Sequence, residues 1–89
     1  MSTDDLSVRF EAAVMAAKQL RNRPANDILL KLYAYYKQAT VGDVEGRRPG
    51  FTDFAGRAKY DAWKKVKGLA AEDAMQHYID LVEALKRGK

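Results

Sequence analysis

Tyr33, Tyr36 and Lys37 stand at i, i+3 and i+4 in the run Tyr33-Ala34-Tyr35-Tyr36-Lys37-Gln38. On a helix that spacing projects all three to one side. Two phenol rings and an ammonium on one face can stack a planar base and neutralise a phosphate. Tyrosine suits the task because its ring is apolar and its hydroxyl hydrogen-bonds. The same spacing also fits a core-and-rim stripe with Lys37 reaching outward to solvent, and spacing alone does not choose. A second basic group, Arg57, Lys59, Lys64 and Lys65 with Tyr60 among them, fits either an anion site or a solvated face.

Groups suited to catalysis are sparse. His77 is the one histidine, and there is no cysteine to partner it or to bind a metal as thiolate. His77 therefore reads as an ordinary residue of a helix surface. The acidic pairs Asp4-Asp5 and Glu72-Asp73 fall at helix starts, where the positive end of the helix dipole accounts for them. No phosphate-cradling glycine loop of the P-loop type is present. The residues thus predict no catalytic group, no metal and no cofactor.

A chain of 89 residues without cysteine forms one domain, residues 1–89, held by helix packing rather than disulfides. Its apolar share, 47%, is that of a folded globular protein. No apolar run approaches the roughly 20 residues of a membrane span. Met1-Ser2-Thr3-Asp4-Asp5 has neither the charge nor the apolarity of a leader peptide, so the expected location is the cytoplasm. The net charge of +4 suggests an anionic partner: nucleic acid, an acidic membrane or a phosphorylated small molecule.

Glycine and proline divide the chain into four helical segments. The first is expected from about Val8 to Leu20, capped by Ser7, with Phe10, Ala13, Val14, Ala17 and Leu20 at helical spacing. The second is expected from about Asp27 to Val41, capped by Asn26 and stopped by Gly42. A loop of roughly a dozen residues follows, of a length usually functional or disordered. The third is expected from about Asp53 to Lys67, with Phe54, Ala58, Ala62 and Val66 on one stripe. The fourth is expected from about Ala70 to Arg87, with Ala74, Met75, Tyr78, Ile79, Val82 and Leu85 forming a broad apolar face. No period-two alternation argues for a strand. The fold class is all-α, a four-helix bundle.

In register along the chain stand YAYYKQATVGD at 33–43, Arg48-Pro49-Gly50, GRAKYDAW at 56–63, and Glu72-Asp73-Ala74-Met75 with Tyr78-Ile79. Together these resemble the acyl-CoA-binding protein family, with order and spacing matching from Phe10 to Leu85. The resemblance implies an up-down-down-up bundle that carries medium- to long-chain fatty acyl-CoA esters as a cytoplasmic monomer. It implies neither catalysis nor cofactor, and neither nucleic-acid binding nor stable membrane insertion. The family's phosphate-binding lysines match Lys37 and Lys59, and a first-helix lysine near the phosphates matches Lys18. Its adenine-stacking tyrosine matches Tyr36, its other second-helix tyrosine Tyr33, and its fourth-helix nucleotide-contacting tyrosine Tyr78. The acyl groove corresponds to Val14, Leu29 and Leu30.

This chain departs from the family pattern at several positions. Ala55 stands where many members carry lysine, and Tyr60 where tryptophan is usual. Phe51 and Val14 are larger than the residues common there, which points to a narrowed groove. The arginines of the loop after Gly42 are candidates to replace lost charge. Two other classes remain open on the residues alone. A helical nucleic-acid-binding module would share the charge and aromatics, although no recognition-helix motif is visible. A protein-interaction module would use the Leu29/Tyr33/Tyr36 face to dock a partner helix.

Overall fold

The computed structural model describes residues 3–88, with side chains from residue 5 onward; Met1 and Ser2 of the acidic leading stretch lie outside them. The described residues form four α-helices: α1 (Thr3–Ala17), α2 (Asn26–Thr40), α3 (Phe54–Lys65) and α4 (Ala71–Gly88). The expected all-α class holds, and the boundaries differ in instructive ways.

The first helix begins well before Ser7, which is an interior residue and not its cap. Leu6 already packs against the core, so the apolar face starts earlier than the expected Val8. Acidic Asp5 also suits a helix start. At the other end α1 stops at Ala17. Lys18 and Gln19 continue it only as a tightened turn, donating to the carbonyls of Met15 and Ala16 at 3.2 and 3.0 Å. Lys18 therefore sits on the turn after the helix rather than on its body.

Asn26 is likewise not a cap. Ala25 takes that position with extended backbone (φ −60°, ψ 156°) and no side-chain hydrogen bond, and Asn26 is already helical. Pro24, which lacks an N–H, comes just before and favours the extended entry. The expected stop at Gly42 is realised. Its φ of 102° permits its N–H to reach back to the Lys37 carbonyl at 3.1 Å. Asp53 lies just outside α3 as its cap, its carboxylate accepting from the Gly56 N–H at 2.9 Å. A Cβ at Gly56 would meet that carboxylate, so a larger residue there would require the Asp53 side chain to shift.

α4 is the central element. It packs against α1 and α2, α2 also packs against α3, and no other helix pair brings its backbones together. The shared core joins Phe10 and Ala13 of α1, Leu32 of α2, and Tyr78, Ile79 and Val82 of α4. Val82 is fully buried and Ala74 equally so, as the apolar stripe of the fourth segment predicts. α3 adds no buried residue of its own. Phe54, expected on its inner stripe, is 78% exposed. With only α2 beside it, α3 has one narrow covered face, and its first turn lies beyond that cover.

Polar clamps along the 41–53 loop hold α3 in place. Trp63 Nε1 donates to the Gly42 carbonyl at 2.8 Å and the Tyr60 hydroxyl to Gly46 at 3.0 Å. Arg48 forks onto Asp61 at 2.9 and 2.7 Å. Arg48 is thus committed to an internal pair. The Asp43 carboxylate accepts from Gln38 Nε2 at 2.8 Å and from the Gly68 N–H at 2.7 Å, tying the turn after α3 to the end of α2. Gln38, itself buried, also donates to Leu69 O at 2.9 Å.

The Gln38 donor holds the Asp43 carboxyl below the ordinary carboxylate range, with help from the Gly68 N–H and the Lys67 charge. A lowered folded pKa contributes stability above the unfolded value, near pH 4, that is lost as pH falls through the folded value. Asp43→Ala should therefore melt below wild type at pH 7. That gap should close as the pH drops below about 4. Melting curves from pH 2 to 7 check this, and a gap unchanged at pH 2 would rule out a charge-based clamp.

Candidate functional site

Beside the core, the end of α1 and the middles of α2 and α4 border an open groove of about 350 Å³. Lys18, Tyr33, Tyr36 and Tyr78 line it together with Val14 and Leu29. Six of the nine residues marked in the sequence thus meet on one surface. Leu30 is half-buried and lies outside this lining.

Lys37 and Lys59 also lie outside the groove wall, and each reaches across the α2–α3 seam. Lys37 Nζ sits 5.2 Å from the centre of the Trp63 ring, and Lys59 Nζ 5.5 Å from that of Tyr33. The two rings meet edge to face, with centroids 6.5 Å apart. The result is reciprocal: each helix places a cation over an aromatic ring of the other. Contacts of this kind at exposed sites are worth about 0.5–1 kcal/mol. Among the described residues neither ammonium pairs with a carboxylate.

Three aromatic rings from three helices support the groove floor. Phe10 stacks on Tyr36 (centroids 6.0 Å, 24°) and meets Tyr78 edge-on at 5.2 Å. Tyr36 and Tyr78 lie 6.4 Å apart. Tyr36 keeps 40% exposure, so its ring is backed on the protein side and open to solvent. Tyr78 is only 6% exposed; burial pushes its phenol up, and Tyr36 adds to the shift. Its hydroxyl therefore stays protonated at neutral pH and remains a donor.

Sequence reasoning missed Ala17, Pro24 and Leu32 as groove lining and Phe10 as the ring behind Tyr36. Ala17 follows Val14 by three positions on α1, a usable signal. Pro24 gave none, because its place depends on the path of the turn. Trp63 stood inside a quoted motif with no assigned part, and it proves to be the platform under Lys37. His77 is exposed, as expected, and stacks on Tyr35 with centroids 5.1 Å apart.

An open, aromatic-walled groove flanked by unpaired ammonium groups has the character of a ligand site. No group of His, Cys, Asp or Glu able to hold a metal exists among the described residues. These features define a small all-α protein with a surface groove suited to an amphipathic anion. The family model described as Acyl CoA binding protein matches residues 7–82, and the chain belongs to that family. It is 48% identical over 80 residues to acyl-CoA-binding protein homolog 1 of Caenorhabditis elegans, covering 90% of this chain and 93% of that one. It is 45% identical over 80 residues to the acyl-CoA-binding protein of Saccharomyces cerevisiae, covering 90% and 92%. The crystal structure of Oryza sativa acyl-CoA-binding protein 2 superposes with a TM-score of 0.90 at 43% identity, covering 93% of this chain and 90% of that one.

Proposed function

We propose that this protein binds medium- to long-chain fatty acyl-CoA esters, buffering and carrying them without chemical change, as a cytoplasmic monomer. The observation that carries the reading is the convergence of Lys18, Tyr33, Tyr36 and Tyr78 with Val14 and Leu29 on one groove. Lys37 and Lys59 flank it. A single chain supplies the whole groove, which supports a monomer. A cysteine-free composition suits the reducing cytoplasm. No described helix is long and apolar enough to cross a membrane.

Each residue has a chemical part in this reading. Tyr36 offers its backed, exposed ring to the adenine. Lys18, Lys37 and Lys59 meet the diphosphate and 3′-phosphate, where a charged hydrogen bond contributes about 1.5–3 kcal/mol. The protonated Tyr78 hydroxyl and Tyr33 hold the nucleotide's polar edge. Val14 and Leu29 form the apolar wall for the chain nearest the thioester, and Leu30 borders the path beyond it. The groove lies at the low end of the roughly 300–1,000 Å³ common for ligand pockets. A long acyl-CoA therefore runs past it along the surface.

Titration calorimetry with palmitoyl-CoA, free CoA and palmitate tests the proposal. Roughly six buried methylenes contribute about 5 kcal/mol, which separates palmitoyl-CoA from CoA by about a thousandfold or more. Palmitate, lacking the phosphates, should bind weakest. Acyl-CoA binding no tighter than CoA would refute the reading.

A further inference from the structure

Tyr35 takes no part in the acyl groove. It stands two positions from Tyr33, roughly 200° around the helix, and looks out on the other side of α2. There α2, the first half of α4 and the turn after α3 border a shallow depression of about 410 Å³. Tyr35, Lys65, Val66, Lys67, Leu69 and His77 line it. It shares no residue with the groove, and no acidic side chain stands in its wall.

The depression has two unlike parts. The rings of Tyr35 and His77 stack at 5.1 Å and 17°, giving α2 and α4 a common flat patch beside half-buried Val66 and Leu69. Lys65 and Lys67 form the other part, both exposed. Lys65 lies in the last turn of α3, where the helix dipole accounts for it. Lys67 stands beyond the helix. Its charge reaches Asp43, but that carboxylate is bound by Gln38 and Gly68. Among the described residues neither lysine forms an ion pair.

The turn that carries Lys67 is fixed, and its donors are occupied. Buried Gln38 holds the Leu69 carbonyl at 2.9 Å, and Asp43 holds the Gly68 N–H at 2.7 Å. The N–H groups of Val66, Lys67 and Leu69 donate to the carbonyls of Trp63, Lys64 and Val66, each at 3.1 Å. None of these amides is free to converge on a phosphate, as the amides of an anion-binding nest do. Two lysines on long stems remain, and they suit carboxylates spaced along a chain. Asp73 and Asp80 stand one turn to either side of His77 on α4, outside the lining. They repel carboxylates from the ring patch and leave it to an apolar side chain.

We infer that this face docks an acidic segment of a partner protein, with carboxylates on Lys65 and Lys67 and an apolar side chain across the Tyr35–His77 stack. Charge complementarity selects the segment, and the fixed turn presents the lysines without rearrangement. Because depression and groove lie on opposite sides of α2, the partner engages the carrier with its cargo in place. The docking rests on the proposed function for that purpose, but its chemistry stands on this face alone.

Amide spectra of the full isotope-labelled chain, titrated with a synthetic peptide of four glutamates around one tryptophan, test it. The peptide should shift the amides of Tyr35, His77 and residues 65–69, equally in empty protein and in protein saturated with palmitoyl-CoA. Lys65→Gln/Lys67→Gln should weaken the peptide on the order of tenfold, with an unchanged helical spectrum and unchanged palmitoyl-CoA titration. His77→Ala, at an exposed position, should weaken it severalfold, and alanine in place of the peptide's tryptophan should show a similar loss. Lys37→Ala/Lys59→Ala should bind the peptide as wild type does. An absence of shifts at this face, wild-type affinity in the Lys65/Lys67 variant, or displacement of the peptide by palmitoyl-CoA would overturn the inference. So would displacement of the peptide from this face by phosphatidylserine vesicles, which would make the occupant a lipid surface. Peptide binding by a protein that fails to take up palmitoyl-CoA would overturn the proposed function and leave the docking standing.

Discussion

Replacing Lys37 and Lys59 together by alanine is expected to weaken palmitoyl-CoA binding by about 3–6 kcal/mol, with the fold retained. In the free protein each ammonium is held only by an aromatic ring across the α2–α3 seam. That contact, at about 0.5–1 kcal/mol, is weaker than a charged hydrogen bond to phosphate at about 1.5–3 kcal/mol. The lysines should therefore favour a phosphate when one arrives, and their loss should fall mainly on binding. The cost to folding should stay below about 2 kcal/mol, against a total of about 5–15 kcal/mol for a domain. Palmitate, which has no phosphate, should bind the variant as it binds wild type. Arginine at both positions should restore part of the affinity, because charge returns with different geometry. Calorimetry paired with melting curves reads both quantities. An affinity within a few-fold of wild type would remove the two lysines from the site.

The largest effect on stability is expected from Phe10→Ala. Phe10 is 4% exposed and joins α1 to both groove tyrosines. Truncating a buried phenylalanine costs about 3–5 kcal/mol. In a domain of this size that lowers the melting temperature by on the order of 10–40 °C. Phe10→Leu should cost much less, since it keeps most of the apolar volume and gives up the ring pairs, each worth about 0.5–1.5 kcal/mol. Tyr36 would also lose the ring behind it, so palmitoyl-CoA affinity should fall in the leucine variant even where the fold survives. Urea midpoints for the pair provide the check. A loss below about 1 kcal/mol in the alanine variant is incompatible with this core.

Much of the fold was legible before the structure, because glycine and proline stand at real breaks and α4 carries an unambiguous apolar stripe. The errors share a cause. Ser7 and Asn26 have side chains suited to capping, yet Leu6 draws α1 to an earlier start and Ala25 takes up the extended backbone that follows Pro24. Phe54 has the periodicity of a buried residue but no neighbour to bury it. Local preference does not record which helix stands opposite. The site shows the same limit. Helical spacing put Tyr33, Tyr36 and Lys37 on one side, but the structure turns the tyrosines to the groove and Lys37 toward Trp63. Only the family pattern connected them with Lys59 and Tyr78, because no local rule relates positions so far apart in the chain.

The backbones of α1 and α2 do not pack together, although side chains from both line the groove. Side chains such as Phe10 and Tyr36 bridge that seam and leave the groove open beside them. On the proposed site the cargo lies in that opening, and the native state is the form that holds it. Any species bound only by the native state adds stability with its concentration, about 2.7 kcal/mol at a hundredfold excess over Kd. The resistance of this small domain to unfolding is thus a gauge of how much cargo surrounds it, and an empty carrier is also the more perishable one.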